Sequence, residues 1–207
     1  MSLKTSYRFI APFYDLFVDH ATRAARQRSL ARLPQQVLPQ QGAAKVLLNG
    51  VGTGLDFPYL PLCHEYTALD LTAAMLTRAQ SRTTNLNMQY VRGDSTALPF
   101  AANCFDYLIL HLIVAVVPQP ALCLHEAVRV LKPSGRIFLF DKFLRIDERA
   151  WLRRALTPLV GQLATRLDVV FEEVMRAAPD LRVITDEPIL ARGWFRLIEL
   201  QKLNRVC

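Results

Sequence analysis

Cysteine is sparse and unpaired in this chain of 207 residues. The four cysteines, at positions 63, 104, 123 and 207, form no CxxC pair, and no histidine stands at the spacing of a tetrahedral zinc site. That excludes a disulfide scaffold and a zinc module, no metal is expected, and the thiols fit a reduced, cytoplasmic setting. Long apolar runs are also missing. The most apolar stretch, Leu108 to Val117, is interrupted by His111 and is far too short to span a bilayer. Met1-Ser2-Leu3-Lys4 leads into Tyr, Arg, Pro and Asp rather than an apolar core, so no secretory signal is expected. Repeats, low-complexity tracts and Gly/Ser linkers are absent, and a single domain is expected. What remains is ordinary globular usage, 52% apolar and 21% charged, with a net charge of +7.

From Lys45 onward, apolar runs of strand length alternate with segments of helical period. Val46–Leu48, Tyr66–Leu69, Met88–Val91, Phe105–Leu110 and Arg136–Phe140 are the strand runs. Ala73–Ala79, led by Thr72 as N-cap, and Ala121–Leu131, stopped by Lys132-Pro133-Ser134-Gly135 as a turn, are the helices. Continuous apolar runs mean strands covered on both faces, and their alternation with helices means parallel crossovers. The fold class is α/β, a doubly wound sheet. Glu148 to Arg166 is expected to be helical and basic. Leu181–Thr185 and Trp194–Leu200, separated by Asp186-Glu187-Pro188 and Gly193, are expected to form an antiparallel C-terminal edge. Residues 1–42 are read as an N-terminal helical lid segment, and 43–207 as the α/β core.

The sharpest feature is the glycine-rich turn Asn49-Gly50-Val51-Gly52-Thr53-Gly54 directly after the first strand run. Glycines there let the backbone turn tightly and approach a ligand. The dinucleotide fingerprint G-x-G-x-x-G/A fails, because its sixth position is Leu55. A G-x-G-x-G turn instead suits a nucleoside bearing an amino-acid tail. Asp70 ends the second strand run, with Leu71 beside it, and a carboxylate there can accept both hydrogen bonds of a ribose diol. Asp94 follows the third strand run and is placed to accept from an exocyclic adenine amine, with Ser95 assisting.

These residues resemble the class I S-adenosylmethionine-dependent methyltransferases from about Tyr7 to Leu200. The similarity is carried by Val51-Gly52-Thr53-Gly54-Leu55, Leu69-Asp70-Leu71-Thr72, Gly93-Asp94-Ser95-Thr96-Ala97-Leu98-Pro99-Phe100, Cys104-Phe105-Asp106 and Val130-Leu131-Lys132-Pro133-Ser134-Gly135. Within the class the chain is most similar to small bacterial phospholipid N-methyltransferases, through Gly50–Leu55, Ala115-Val116-Val117-Pro118 and Tyr7 to Asp15. Quinone-ring C-methyltransferases share the last pattern. The resemblance implies a seven-stranded, Rossmann-like sheet and S-adenosylmethionine over Asn49, Gly50, Gly52 and Gly54, with Asp70 and Leu71 at the ribose and Asp94 and Ser95 at the adenine. It places His111 near the methionine part and the acceptor, and Tyr7 and Tyr14 on a segment folding over the pocket. One position departs from the family: Leu48 stands where an acid usually helps to place the cofactor's methionine end.

The implied chemistry is methyl transfer in which the protein aligns the reactants. An amine acceptor must arrive deprotonated, and His111 is the candidate base, with Tyr7 and Tyr14 as the other catalytic candidates. Basic residues gather outside the core: residues 1–45 carry seven Lys or Arg against two Asp, and residues 142–166 six against two acids. Phe9, Phe13, Phe17 and Ala21 recur every four residues. This combination fits an anionic membrane surface, placing the protein at the inner face of the membrane. Nucleic acid is not expected, because no RNA-binding module is present and aromatics are not interleaved with the basic runs. The leading reading is N-methylation of a phospholipid amine. Ring C-methylation of a quinone precursor, and a non-catalytic cofactor-binding chain suggested by Leu48, stay open.

Overall fold

The computed structural model describes residues 19–37, 42–83, 85–144, 169–190 and 193–204. Tyr7, Tyr14, the rest of the segment before residue 19 and the basic stretch Glu148–Arg166 lie outside the described residues. Helix α1 covers residues 19–30. It is followed by β1 (Lys45–Asn49), β2 (Glu65–Asp70), α2 (Ala73–Arg82), β3 (Asn87–Arg92), β4 (Phe105–His111), α3 (Pro120–Val130), β5 (Leu131–Lys142), α4 (Phe171–Met175), β6 (Leu181–Leu190) and β7 (Phe195–Lys202). The strands form one seven-stranded sheet in the order β3-β2-β1-β4-β5-β7-β6. β1 to β5 run parallel, and β7 is antiparallel to both of its neighbours, β5 and β6. The doubly wound sheet and its antiparallel C-terminal edge are therefore as expected.

Period-two alternation divides each apolar run between two cores. Leu47, Leu108, Ile137 and Leu139 point to one face, under α3 and α4, where Cys123, Leu124, Ala127, Phe171 and Val174 cover them. Val46, Leu48, Ile109 and Phe138 point to the other face, under Leu30 and Leu33 of the α1 region and Leu76 and Ala79 of α2. The register Leu48↔Ile109↔Phe138 runs this second layer across three strands. Each large aliphatic side chain buried there contributes ~1.5–3 kcal/mol. The segment read as a lid thus supplies part of the core through α1.

Two elements differ from the sequence reading. Lys132-Pro133-Ser134-Gly135 is not a free turn: β5 begins at Leu131, directly after the last residue of α3, and runs through it. Pairing of Leu131 with Phe105 captures the segment, and a register shift opposite Phe105/Tyr107 absorbs the turn-forming residues, with Ser134 at φ 64°. Asp186-Glu187-Pro188 likewise lies inside β6 rather than ending it. β6 is the last strand of the sheet, where a proline with no N–H to donate is tolerated.

Gly135 sits where the β4 backbone comes close. A Cβ there would stand 2.9 Å from the Asp106 carbonyl oxygen and 2.6 Å from the Leu131 side chain. Gly135→Ala is expected to lower stability by ~1–3 kcal/mol through overpacking. Urea unfolding checks this, and an unchanged midpoint would contradict the close approach.

Candidate active site

The parallel strands bring the predicted ligand residues to one edge. The glycine turn leaves β1, Asp70 ends β2, Asp94 and Ser95 follow β3, and His111 ends β4. In such sheets the crevice beyond the carboxyl ends, beside the first strand, is where ligands bind.

The turn is held from three sides. Gly50 and Val51 N–H both donate to the Leu69 carbonyl of β2 at 2.9 Å. Gly52 N–H donates to Asp70 Oδ2 at 2.9 Å, while Asp70 Oδ1 accepts from the Thr72 amide (2.9 Å) and hydroxyl (3.0 Å). Thr72 precedes α2 as read from the sequence, but its hydroxyl binds Asp70 rather than capping the helix. Arg82, in the last turn of α2, reaches back to Thr53 through its carbonyl (3.2 Å) and hydroxyl (3.0 Å). Gly50 and Gly52 have φ of 76° and 56°. A Cβ on Gly50 would strike Ile113 at 2.6 Å, whereas on Gly52 it would meet nothing within 4 Å and project into open space. That open space above the backbone is what a close-lying ligand requires.

The remaining predicted residues fall into two groups. Asp70 is half-buried, Leu71 beside it is an exposed leucine, and Asp94 is exposed, with Oδ1 accepting from its own turn at Thr96 (2.7 Å from both amide and hydroxyl). Asn49 and Ser95 are instead buried and bound to one another, the Ser95 hydroxyl donating to Asn49 Oδ1 at 2.6 Å. The Asn49 amide faces Cys123 Sγ at 3.9 Å, and burial pushes that thiol up to about 12. Leu48 is sealed in the apolar layer with Leu30 and Phe138. Asp141, near the end of β5, is fully buried. It braces the exit of β4 and its own strand end, accepting from the Ala115 amide (2.9 Å) and the Lys142 amide (2.8 Å).

His111 is 5% exposed and has a partner on each ring nitrogen. Nδ1 lies 2.8 Å from Asp56 Oδ1, and Nε2 lies 2.9 Å from Ser29 Oγ of α1. The same Asp56 oxygen accepts from Arg26 Nη1 of α1 at 2.7 Å, and Arg26 Nε donates to Thr22 Oγ1 at 3.0 Å. Burial works to raise the Asp56 carboxyl, but the Arg26 guanidinium and the His111 ring beside it hold it well below the usual carboxylate range. Sequence reasoning missed Asp56, Arg26 and Ser29. The one signal was an acid two residues beyond Gly54, and its partners stand 30 and 55 residues away.

A carboxylate with a depressed folded-state pKa stabilises fully above its unfolded value of about 3.9, and this contribution fades as the pH falls below it. Asp56→Ala leaves the Arg26 guanidinium buried without its counter-charge, an expected loss of ~3–5 kcal/mol at neutral pH. Urea unfolding of both chains from pH 7 to pH 3 should show the gap narrowing below about pH 4. A gap that does not change with pH would contradict the ion pair.

Comparison with known proteins agrees with this geometry. Residues 47–139 match a family model described as a methyltransferase domain. Over 194 residues the chain is 27% identical to a phosphatidylethanolamine N-methyltransferase of Cereibacter sphaeroides, covering 91% of this chain and 92% of that protein. It is 30% identical over 181 residues to a demethylmenaquinone methyltransferase of Renibacterium salmoninarum, covering 83% and 75%. Among solved structures, an S-adenosylmethionine-dependent methyltransferase of Thermotoga maritima superposes with a TM-score of 0.68 at 18% identity, over 97% of this chain and 98% of that one. With a glycine turn that leaves room for a ligand against its backbone and a carboxylate tied to that turn from the next strand, the chain belongs to the S-adenosylmethionine-dependent methyltransferases.

Proposed function

We propose that this methyltransferase acts on the amine of a phospholipid headgroup at an anionic membrane surface. The observation that carries this reading is the two-way coverage. The similarity to the phosphatidylethanolamine N-methyltransferase spans 92% of that protein, against 75% of the demethylmenaquinone methyltransferase. No helix among the described residues is long and apolar enough to cross a membrane, so contact with lipid falls to the surface. Arg23 and Arg28 of α1 are exposed, and an anionic headgroup would compete for them with their present partners, Asp19 at 3.0 Å and Glu187 at 2.6 Å. The working place we propose is the cytoplasmic face of the membrane.

The residues present fit the cofactor. When bound, S-adenosylmethionine supplies an electrophilic methyl group on a sulfonium. The backbone of Gly50, Gly52 and Gly54 would lie against it, Asp70 would accept from its ribose hydroxyls, and Leu71 would offer an apolar face to the base. Asp94 would take the adenine amine, with Ser95 and Asn49 supporting that wall from beneath. His111 would stand on the acceptor side. Alignment of the acceptor by these groups can account for ~7–11 kcal/mol of barrier.

Asp70→Ala removes a charged hydrogen-bond acceptor worth ~1.5–3 kcal/mol, so S-adenosylhomocysteine should bind about 10–100-fold more weakly. Calorimetry checks this beside an unchanged circular dichroism spectrum, and undiminished affinity would remove Asp70 from the cofactor site. The acceptor is tested by transfer of labelled methyl to phosphatidylethanolamine in anionic vesicles and, in parallel, to demethylmenaquinone. Transfer to the lipid amine, with co-sedimentation on the anionic vesicles, is expected. Transfer to the quinone alone would replace the reading with ring C-methylation.

A further inference from the structure

Helix α1 turns polar side chains inward. Thr22, Arg26 and Ser29 share the buried face with Ala25 and Leu30. Removing a guanidinium from water costs several kcal/mol unless it is well paired, so its placement calls for an account. Arg26 and His111 meet on one oxygen, Asp56 Oδ1. An ionised carboxylate can only accept, so the hydrogen in the His111–Asp56 bond lies on Nδ1. The ring is further fixed by an edge contact on Phe140, with centroids 5.8 Å apart. That leaves Nε2 as the position that exchanges a proton, and the group facing it is the Ser29 hydroxyl at 2.9 Å.

We propose that Asp56 and Arg26 are positioning residues for methyl transfer, acting through His111, and that Ser29 relays the proton the acceptor must lose. This rests on the reading of an acceptor that gives up a proton. Before transfer, Nδ1–H donates to Asp56, and Nε2 accepts from the Ser29 hydroxyl. As the acceptor is methylated, its surplus proton passes to Ser29 Oγ while the Ser29 proton passes to Nε2. One acceptor N–H bond and one O–H bond break, one O–H and one N–H bond form, and nothing is oxidised or reduced. The resulting imidazolium lies against the Asp56 carboxylate. Arg26 keeps that carboxylate ionised, so it never offers a hydrogen to Nδ1 and the tautomer stays fixed.

The tautomer is read directly on the full chain with nitrogen-15-labelled histidine, assigning the ring by its disappearance in His111→Gln. Nδ1–H at neutral pH is expected, and Nε2–H overturns the proposal. The double variant Arg26→Met/Asp56→Leu removes both charges together and avoids leaving either one buried alone. It should bind S-adenosylhomocysteine as the wild type does, show His111 as the Nε2–H tautomer, and lose kcat by about 10²-fold or more at unchanged KM. Wild-type kcat in this variant overturns the positioning role. If it does not bind S-adenosylhomocysteine, Asp56→Asn makes the same comparison, because it keeps the shape and an acceptor for Arg26. Loss of kcat at unchanged KM is again expected, and wild-type kcat again overturns. Ser29→Ala should fall in kcat alike, and activity at or above wild type overturns the relay. All series are run on both phosphatidylethanolamine and demethylmenaquinone. Turnover confined to the quinone overturns the amine reading alone, while the tautomer and the kcat comparison are still decided on the quinone.

Discussion

The pairing of β1 with β2 on one side and β4 on the other governs this molecule. Because the three strands are parallel, their carboxyl ends emerge together, and three separate sequence segments become one edge. The same pairing continues one residue past β1. The Leu69 carbonyl takes the amides of Gly50 and Val51, so the glycine turn starts as an extension of the ladder and departs from it at Gly52. From there the Asp70 carboxylate takes over as the acceptor. A single register therefore sets the height of the turn, the direction of the β2 acid and the position of His111 at the end of β4.

The second layer of control comes from α1. An amphipathic helix of this length usually docks through an apolar stripe alone. Here Ala25, Leu30 and the following Leu33 supply that stripe, and Thr22, Arg26 and Ser29 interrupt it with hydrogen-bonding groups. Apolar packing would tolerate small slides along the sheet. Bonds to Asp56 and His111 do not, because their lengths and angles fix one position. The helix is thereby tied to the exit of the glycine turn and to the end of β4 at once. The ion pair and its hydrogen bonds to Thr22 and His111 work against the desolvation of the arginine and the carboxylate.

Much of this was legible in the sequence, for identifiable reasons. Parallel strands covered on both faces need continuous apolar runs, and the runs around Val46, Tyr66 and Phe105 became strands within a residue or two. The glycine turn, Asp70 and Asp94 were legible because their spacing follows one strand and one connection each. The start of β5 was not. Pro133, Ser134 and Gly135 have the chemistry of a turn, and only the adjacent β4 edge draws them into a strand. Pro188 misled for the same reason, since its tolerance depends on being at the sheet's margin, which composition does not encode. Arg26 read as one of a basic cluster, and Asp56 carried no reading at all. Their meaning lies in a contact between segments that sequence spacing leaves unrelated.

The position of Pro188 has a consequence for how the protein behaves among copies of itself. A terminal strand of ten residues bearing the exposed Val183 and Ile184 would ordinarily invite another strand to add to it. β6 carries two register irregularities, a residue without an amide hydrogen, and acidic side chains at 186 and 187. An incoming chain would find an interrupted ladder, and acids already committed to Arg196, Arg28 and Arg32, instead of a template. The margin that looks least regular is thus the poorest template this sheet could offer to an added strand.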